Sequence, residues 1–503
     1  MILTKENLNL INPENVIVPP ANAFELPEKV LQFGTGVLLR GLPDYFIDKA
    51  NRQGVFNGRV AVVKSTSGPT KSFDEQNSLY TLCVRGIENG EFVHQNVISS
   101  AISRVISAEQ DWDAILTIAK STALKIIVSN TTEVGIQLVN ESINQNPPVS
   151  FPAKVLAVLY QRFIVLGTKD SGLVIIATEL IPDNGKKLGA IVLELAKFNN
   201  LGDDFISWLQ EENSFCNSLV DRIVPGKPDA EMLAALEAEL GYTDQLLAMT
   251  EPYRLWAIEG GEKVAEALSF AKVDKGVVIA EDIEIYRELK VRLLNGTHTL
   301  TSGVAFLSGI SLVRDAMQNE QISNYVDSVM AKEIAPAIPY QVTTAQTTAF
   351  ASTVKDRFAN PSIAHLWLNI TFQYSMKMKI RILPLLLNHY KLFNNVPEHI
   401  AFGFAAYLTF MKVNRKEEAN FYGSYNGIDY LITDDSAEYF FNKAHTIGGS
   451  YVTSVLNDAD FWKTDLNLLN GFTDAVVDSY DAIAKNGIVD ALGELTTSKL
   501  NVL

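Results

Sequence analysis

An α/β fold, with a doubly wound parallel sheet in the N-terminal half and a mostly α-helical C-terminal half, is predicted by three observations. Short apolar, β-branched runs alternate with helical patterns through the first half of the chain. A Gly34-Thr35-Gly36 turn closes the first of these runs and opens a helical pattern. Beyond Ala271 strand-like runs become rare and long helical stretches take over. The expected domains are therefore 1–275 and 276–503.

Taken in order, Lys29–Phe33 (KVLQF) reads as the first strand and Leu38 to Arg52 as the helix after it. Arg59–Val63 (RVAVV), Leu124–Val128 (LKIIV) and Leu173–Ala177 (LVIIA) read as further strands. Such continuous apolar runs fit strands buried on both faces, as in a parallel sheet. Asn184-Gly185 reads as a turn. Leu188, Ile191, Val192 and Leu195 then recur at i, i+3, i+4 and i+7, the stripe of an amphipathic helix. In the C-terminal half Ile283 to Leu294 and Leu366 to Ile382 read as helices, and Gly423 to Gly427 (GSYNG) as a turn.

The 503 residues suggest two to four domains at ~150 residues each. With 47% hydrophobic and 20% charged residues, the composition is globular rather than disordered or fibrous. Acidic residues outnumber basic ones 58 to 42, for a formal charge of −16. That balance argues against nucleic acid or an anionic membrane as a partner, but allows a local basic pocket for a small anion. Cys83 and Cys216 are too few for a disulfide framework or a cysteine zinc site. His94, His365, His389, His399 and His445 show no metal-ligand spacing, so no metal is expected. The N-terminus MILTKENLNLINPEN has no apolar signal core, and the longest uncharged stretch, Leu293 to Val313, contains Asn295 and His298. A cytoplasmic protein is expected.

In a dinucleotide fold the first glycine of a GxG turn permits the tight bend. The second lets a pyrophosphate approach the backbone, and the following helix N-terminus supplies N–H donors. Gly34, Thr35 and Gly36 are the candidates, with Arg40 beside Leu39, where the usual third glycine is missing. The second strand ends in Lys64, Ser65 and Thr66 instead of the acid that holds an adenine ribose. Lys64 and Ser65 can accept a 2′-phosphate, so these residues leave NAD and NADP both open.

The segment ELKVRLLNGTHTLTS holds Lys290, Asn295 and His298 at i, i+5 and i+8. On an α-helix they fall at about 0°, 140° and 80°, on one broad face. A lysine can protonate a developing alkoxide, an asparagine amide can hold its charge and a histidine can orient the partners, which is the chemistry of carbonyl reduction. The alternative is a surface lysine with a helix-packing amide and imidazole.

The blocks VLQFGTGVLLRG, SNTTEVG, FPAKVLAVLYQRF, ELIPDNG, NSLVDRIVP, EPYRLWAIEG and KVRLLNGTH occur in this order between Val30 and His298. Together they resemble the polyol-specific long-chain dehydrogenases, which include mannitol dehydrogenase, fructuronate reductase and tagaturonate reductase. The resemblance implies an N-terminal Rossmann-type domain, a mostly helical C-terminal domain, and metal-independent hydride transfer with a nicotinamide cofactor. It implies Lys290 as general acid/base, Asn295 as oxyanion-holding amide, His298 as substrate-orienting imidazole, and Asp221 and Lys377 as substrate contacts. Mannitol-type members carry a second oxyanion-holding asparagine where Leu180 stands, for which Asn184 is the nearest substitute, and a substrate-binding arginine where Asn369 stands. FPAKVLAVLYQRF and ELIPDNG are most similar to the tagaturonate reductase branch. That branch implies a small sugar-acid substrate with NAD(H), whose carboxylate needs a cation from Lys377, Arg357 or Arg381. Fructuronate reductase, a mannitol-type dehydrogenase and, more distantly, a non-catalytic nucleotide sensor are the alternatives.

Overall fold

The computed structural model describes every residue except Ser67, Pro69, Glu133, 445–449 and 498–503. His445, and Glu133 of the SNTTEVG block, lie outside the described residues. The chain forms two compact units, Met1–Arg85 with Phe92–Ile283, and Gly86–Glu91 with Glu284–Leu503. The first unit runs past residue 275 because strand Val277–Ala280 pairs with Leu255–Glu259.

Six parallel strands make the main sheet of the first unit: β1 Glu28–Phe33, β2 Arg59–Lys64, β3 Ile102–Ser107, β4 Ile126–Ser129, β5 Val174–Ala177 and β6 Ser214–Cys216. Their order is β3-β2-β1-β4-β5-β6, the doubly wound arrangement. The four central strands are those expected from their apolar runs, and β4 and β5 are buried throughout. The two edges were not foreseen. In β3 the pair Ser103-Arg104 interrupts the apolar run, and β6 has only three residues.

Strand order reverses between β1 and β4, and the glycine turn sits at that point. Gly34 has φ +130°, and a Cβ there would stand 3.0 Å from Leu39 Cδ1 and 3.2 Å from the Asn130 carbonyl oxygen. A Cβ on Gly36 would meet nothing within 4 Å. The expected single helix after the turn is two, α1 Val37–Gly41 and α2 Pro43–Arg52. Pro43 lacks an N–H and disfavours helical geometry in the residue before it, and Leu42 accordingly leaves the helix at φ −131°, ψ −77°. The turn expected at Asn184-Gly185 lies one residue earlier. Asp183 takes the left-handed conformation, and Asn184 opens the amphipathic helix Asn184–Phe198.

The second unit is built around helix Glu398–Met411, which packs against Phe472–Asn486 and Thr297–Leu307. The stretch read as one helix, Leu366 to Ile382, is three short ones, Trp367–Ile370, Tyr374–Lys377 and Met378–Ile382, with Gln373 left-handed between the first two. The tail also holds an antiparallel sheet of Val413–Glu417, Asn420–Tyr425 and Ile428–Ile432. The expected GSYNG turn narrows to Asn426-Gly427, both at positive φ as a two-residue hairpin requires.

The two turn glycines separate in a denaturation experiment. Gly34→Ala is expected to lose about 1–3 kcal/mol through its backbone conformation. Gly36→Ala stays within about 0.5 kcal/mol of the parent.

Candidate active site

The residues singled out divide between the units. In the first, the backbone N–H groups that open α1 follow Gly36, which caps the helix without any side-chain hydrogen bond. The space beside Gly36 is open, so the main-chain donors that follow the Gly34-Thr35-Gly36 turn are accessible, the property a pyrophosphate-holding turn requires. Beneath it, Gln32 Nε2 donates to the Gly34 carbonyl and to Asp44 Oδ2, both at 3.3 Å, and burial pushes the Asp44 carboxyl up to about 7.

Arg40 does not join the turn. Its guanidinium is buried in the unit's interior, donates to the Leu246 carbonyl and lies over the Tyr80 ring at 5.3 Å, so it serves packing rather than a phosphate. Lys64 Nζ bends back onto its own loop, to the Thr66 carbonyl at 3.0 Å and Thr66 Oγ1 at 3.2 Å, while Ser65 is exposed. Asn184 is also corrected. Its Nδ2 donates to the Glu179 and Ser218 carbonyls at 3.0 and 2.9 Å, and its Oδ1 accepts from the N–H of Gly185 and Ser218. That buried amide is a structural tie with both donors in use. Asp221 ends strand Ser218–Asp221, opposite Leu255, and is buried.

In the second unit, Lys290–Gly296 is a π-helical turn between α-helices Glu284–Leu289 and Thr297–Leu307. A π-helical turn takes more residues than an α-helical one, so Lys290 and Asn295 come closer to one side of the helix than the about 140° an α-helix would leave between them. Between Arg292 and Ala305 every residue is buried except Asn295 and His298, which are partly buried, as is Lys290. A helix enclosed on almost every side thus opens a window at these three side chains.

The His298 ring stacks on Phe358 (centroids 4.0 Å apart, 13° between planes) and meets His365 and Trp367 edge-on. Its Nε2 is buried with no hydrogen-bond partner. Burial first, then His365, Arg357, Arg381 and Lys377, hold the imidazole well below its ordinary pKa. His298 is therefore a neutral ring able to donate from one nitrogen and accept at the other. The sequence candidates Lys377, Arg357 and Arg381 are thus brought together around it. Lys377 Nζ donates to the Ile370 carbonyl at 2.8 Å, and burial with the nearby Arg381 brings its ammonium down to about 8. Burial alone brings Arg381 to about 10. Arg357 is buried on helix Thr344–Phe358. Among the described residues no three His, Cys, Asp or Glu side chains are grouped to hold a metal ion.

Sequence reasoning missed the side chains that hold these loops. Glu179, buried, accepts from the Thr131 N–H at 2.8 Å, Thr131 Oγ1 at 3.1 Å and Ser129 Oγ at 3.1 Å, which locks the SNTTEVG block to ELIPDNG. Arg222, buried over the Tyr45 ring at 4.4 Å, donates to the Gly41 and Glu251 carbonyls and so joins three blocks. A charged residue inside each block was the available signal.

Two domain families match the chain, the Mannitol dehydrogenase Rossmann domain over residues 28–272 and the Mannitol dehydrogenase C-terminal domain over 282–484. An altronate oxidoreductase of Halalkalibacterium halodurans is 35% identical, covering 97% of each chain. One of Bacillus subtilis is 36% identical over 93% of this chain and 95% of its own. Among solved structures, Pseudomonas fluorescens mannitol 2-dehydrogenase in a ternary complex with NAD and D-mannitol aligns with a TM-score of 0.68, at 22% identity and 99% coverage of both chains. A substrate-free D-sorbitol dehydrogenase aligns with a TM-score of 0.76, at 20% identity, covering 98% of this chain and 100% of that one. These two likenesses show the fold.

Because burial and three cations oppose its charging, the His298 imidazole is expected to remain neutral through its usual titration range. Its Cε1–H resonance should stay flat between about pH 8 and about pH 6 in an NMR titration, whereas an exposed histidine moves.

Proposed function

This chain belongs to the mannitol dehydrogenase family and is an oxidoreductase acting on CH–OH groups, and we propose that it interconverts D-tagaturonate and D-altronate with NAD(H). The observation that carries the substrate reading is the cation cluster at His298, with Lys377 and Arg357 beside the Lys290–Asn295 window. A polyol needs no such charge, whereas a sugar acid carries a carboxylate that does. Similarity to altronate oxidoreductases along nearly the whole chain supports the same substrate pair. NAD is favoured over NADP by the Lys64 ammonium, which is bonded back to Thr66.

When bound at the Gly34–Gly36 turn, the nicotinamide supplies or takes up the hydride. In reduction, Lys290 gives its proton to the substrate oxygen while the Asn295 amide donates a hydrogen bond to the charge growing there. The neutral His298 ring fixes the orientation of a substrate hydroxyl or of that oxygen. In oxidation the substrate hydroxyl gives its proton back to Lys290. Lys377 and Arg357 hold the carboxylate away from the reacting carbon.

Lys290→Ala is expected to lower turnover by ~100-fold or more while NADH binding, followed by fluorescence, persists. Parallel assays with tagaturonate, fructuronate and fructose should rank tagaturonate first; a faster rate with fructose overturns the carboxylate reading. A separate pH test follows from Lys377, which is charged below about 8 and neutral above it. KM for the sugar acid should rise as pH passes that point. Lys377→Met should raise KM by ~10–100-fold at neutral pH and flatten the dependence.

A further inference from the structure

The turn that carries Lys290 and Asn295 has a structural requirement of its own. Wide turns are rare because they are less favourable than the α-helix they interrupt, and they persist where surrounding contacts fix them. Two more occur in this unit, Val329–Ile334 and Met378–Ile382, and both pack against Lys290–Gly296.

The first and last of the three are joined by a reciprocal pair of arginines. Arg292, buried in the first turn, donates through Nη1 to the Ile380 carbonyl at 2.7 Å and the Arg381 carbonyl at 2.9 Å. Its Nε and Nη2 are fixed by Glu288, at 2.9 and 3.3 Å, one turn earlier. Arg381, in the last turn, sends Nη1 back to the Asn295 carbonyl at 3.4 Å and Thr299 Oγ1 at 3.1 Å, and Thr299 Oγ1 also donates to that carbonyl at 2.7 Å. Each wide turn therefore has backbone oxygens satisfied by the other's guanidinium.

We propose that Arg292 and Arg381 are positioning residues of the reaction, a crossed clamp that keeps Lys290–Gly296 in its wide register and so holds the Lys290 ammonium on the side of the Asn295 amide. The inference rests on the proposed roles of Lys290 and Asn295. Relaxed to an α-helical register, Asn295 would stand about 140° from Lys290, at the far edge of the same face and farther from a shared oxygen than the wide turn holds it. The clamp calls for arginine. Its planar fork reaches two successive carbonyls and a carboxylate at once, whereas a lysine is a single point charge. Arg381 is thereby withdrawn from the substrate's carboxylate ligands and assigned to the backbone.

The test compares full-length Arg292→Met, Arg292→Lys, Lys290→Ala and the double variant Lys290→Ala/Arg292→Met, with kcat, KM, NADH affinity and melting temperature measured for each. Arg292→Met should lower kcat by ~10–100-fold, the size expected for a misplaced reacting group, with KM and NADH affinity changed by less than about 3-fold. Arg292→Lys should lose about as much. In the Lys290→Ala background the same change should cost less than about 2-fold, because the clamp acts through a side chain already removed. Normal kcat in Arg292→Met overturns the clamp, and so does an equal loss in both backgrounds, which marks a merely structural arginine. If Arg292→Met does not fold, Glu288→Gln loosens the same guanidinium and should cut kcat ~3–10-fold with KM held; an unchanged kcat there rejects the proposal. Near-normal turnover in Lys290→Ala instead overturns the reading on which the clamp rests.

Discussion

A backbone oxygen in the interior needs a donor, and where a helix widens the donors come from side chains. The carbonyls of Asn295, Ile380 and Arg381 are each met by a guanidinium, and Asn295 by a threonine hydroxyl as well. The second unit can then hold a register that local propensity would not choose. Two of the polar groups at the window, Lys290 and Asn295, lie on the turn whose carbonyl these bonds meet.

The first unit solves a related problem with different residues. Its loops at the sheet's switch point are irregular, and buried charged groups close them. Glu179 gathers the SNTTEVG loop, Arg222 ties α1 to the Glu251 carbonyl, and Arg40 anchors its own short helix to the Leu246 carbonyl. Each is a buried charged group that meets at least one backbone partner, while Arg40 Nε and Arg222 Nη2 stay buried without one. The sequence blocks that carry the family likeness are therefore in good part the loops' fastenings. Few of them need contact a ligand to matter.

The strands that could be read from sequence were those with predominantly apolar runs, β1, β2, β4 and β5. Charge hid β3, where Arg104 bonds to Glu28 at the exposed edge, and brevity hid β6. The helix at Lys290 was legible, but its width was not. Nothing in KVRLLNG marks a π turn except that two residues of one chemistry stand five apart, which an α-helix would set about 140° from each other. Arg40 misled because an arginine after a GxG turn resembles a phosphate ligand, and only tertiary packing turns it inward. Asn184 misled for the same reason, since its distance from Leu180 along the chain said nothing of the four backbone groups awaiting its amide. The cations at His298 were named individually, but their convergence comes from Gln373, whose left-handed backbone separates Trp367–Ile370 from the helix that carries Lys377.

Lys377 and Arg381 are both held below the range in which lysine and arginine ordinarily titrate. Keeping them protonated near neutral pH therefore works against the folded chain, by the linkage between proton binding and stability. An anion bound at Lys377 relieves part of that opposition and shifts the folding balance by mass action. The melting temperature would then rise with the concentration of such an anion. A charge held ready for a ligand is, in the unliganded protein, a load on the fold.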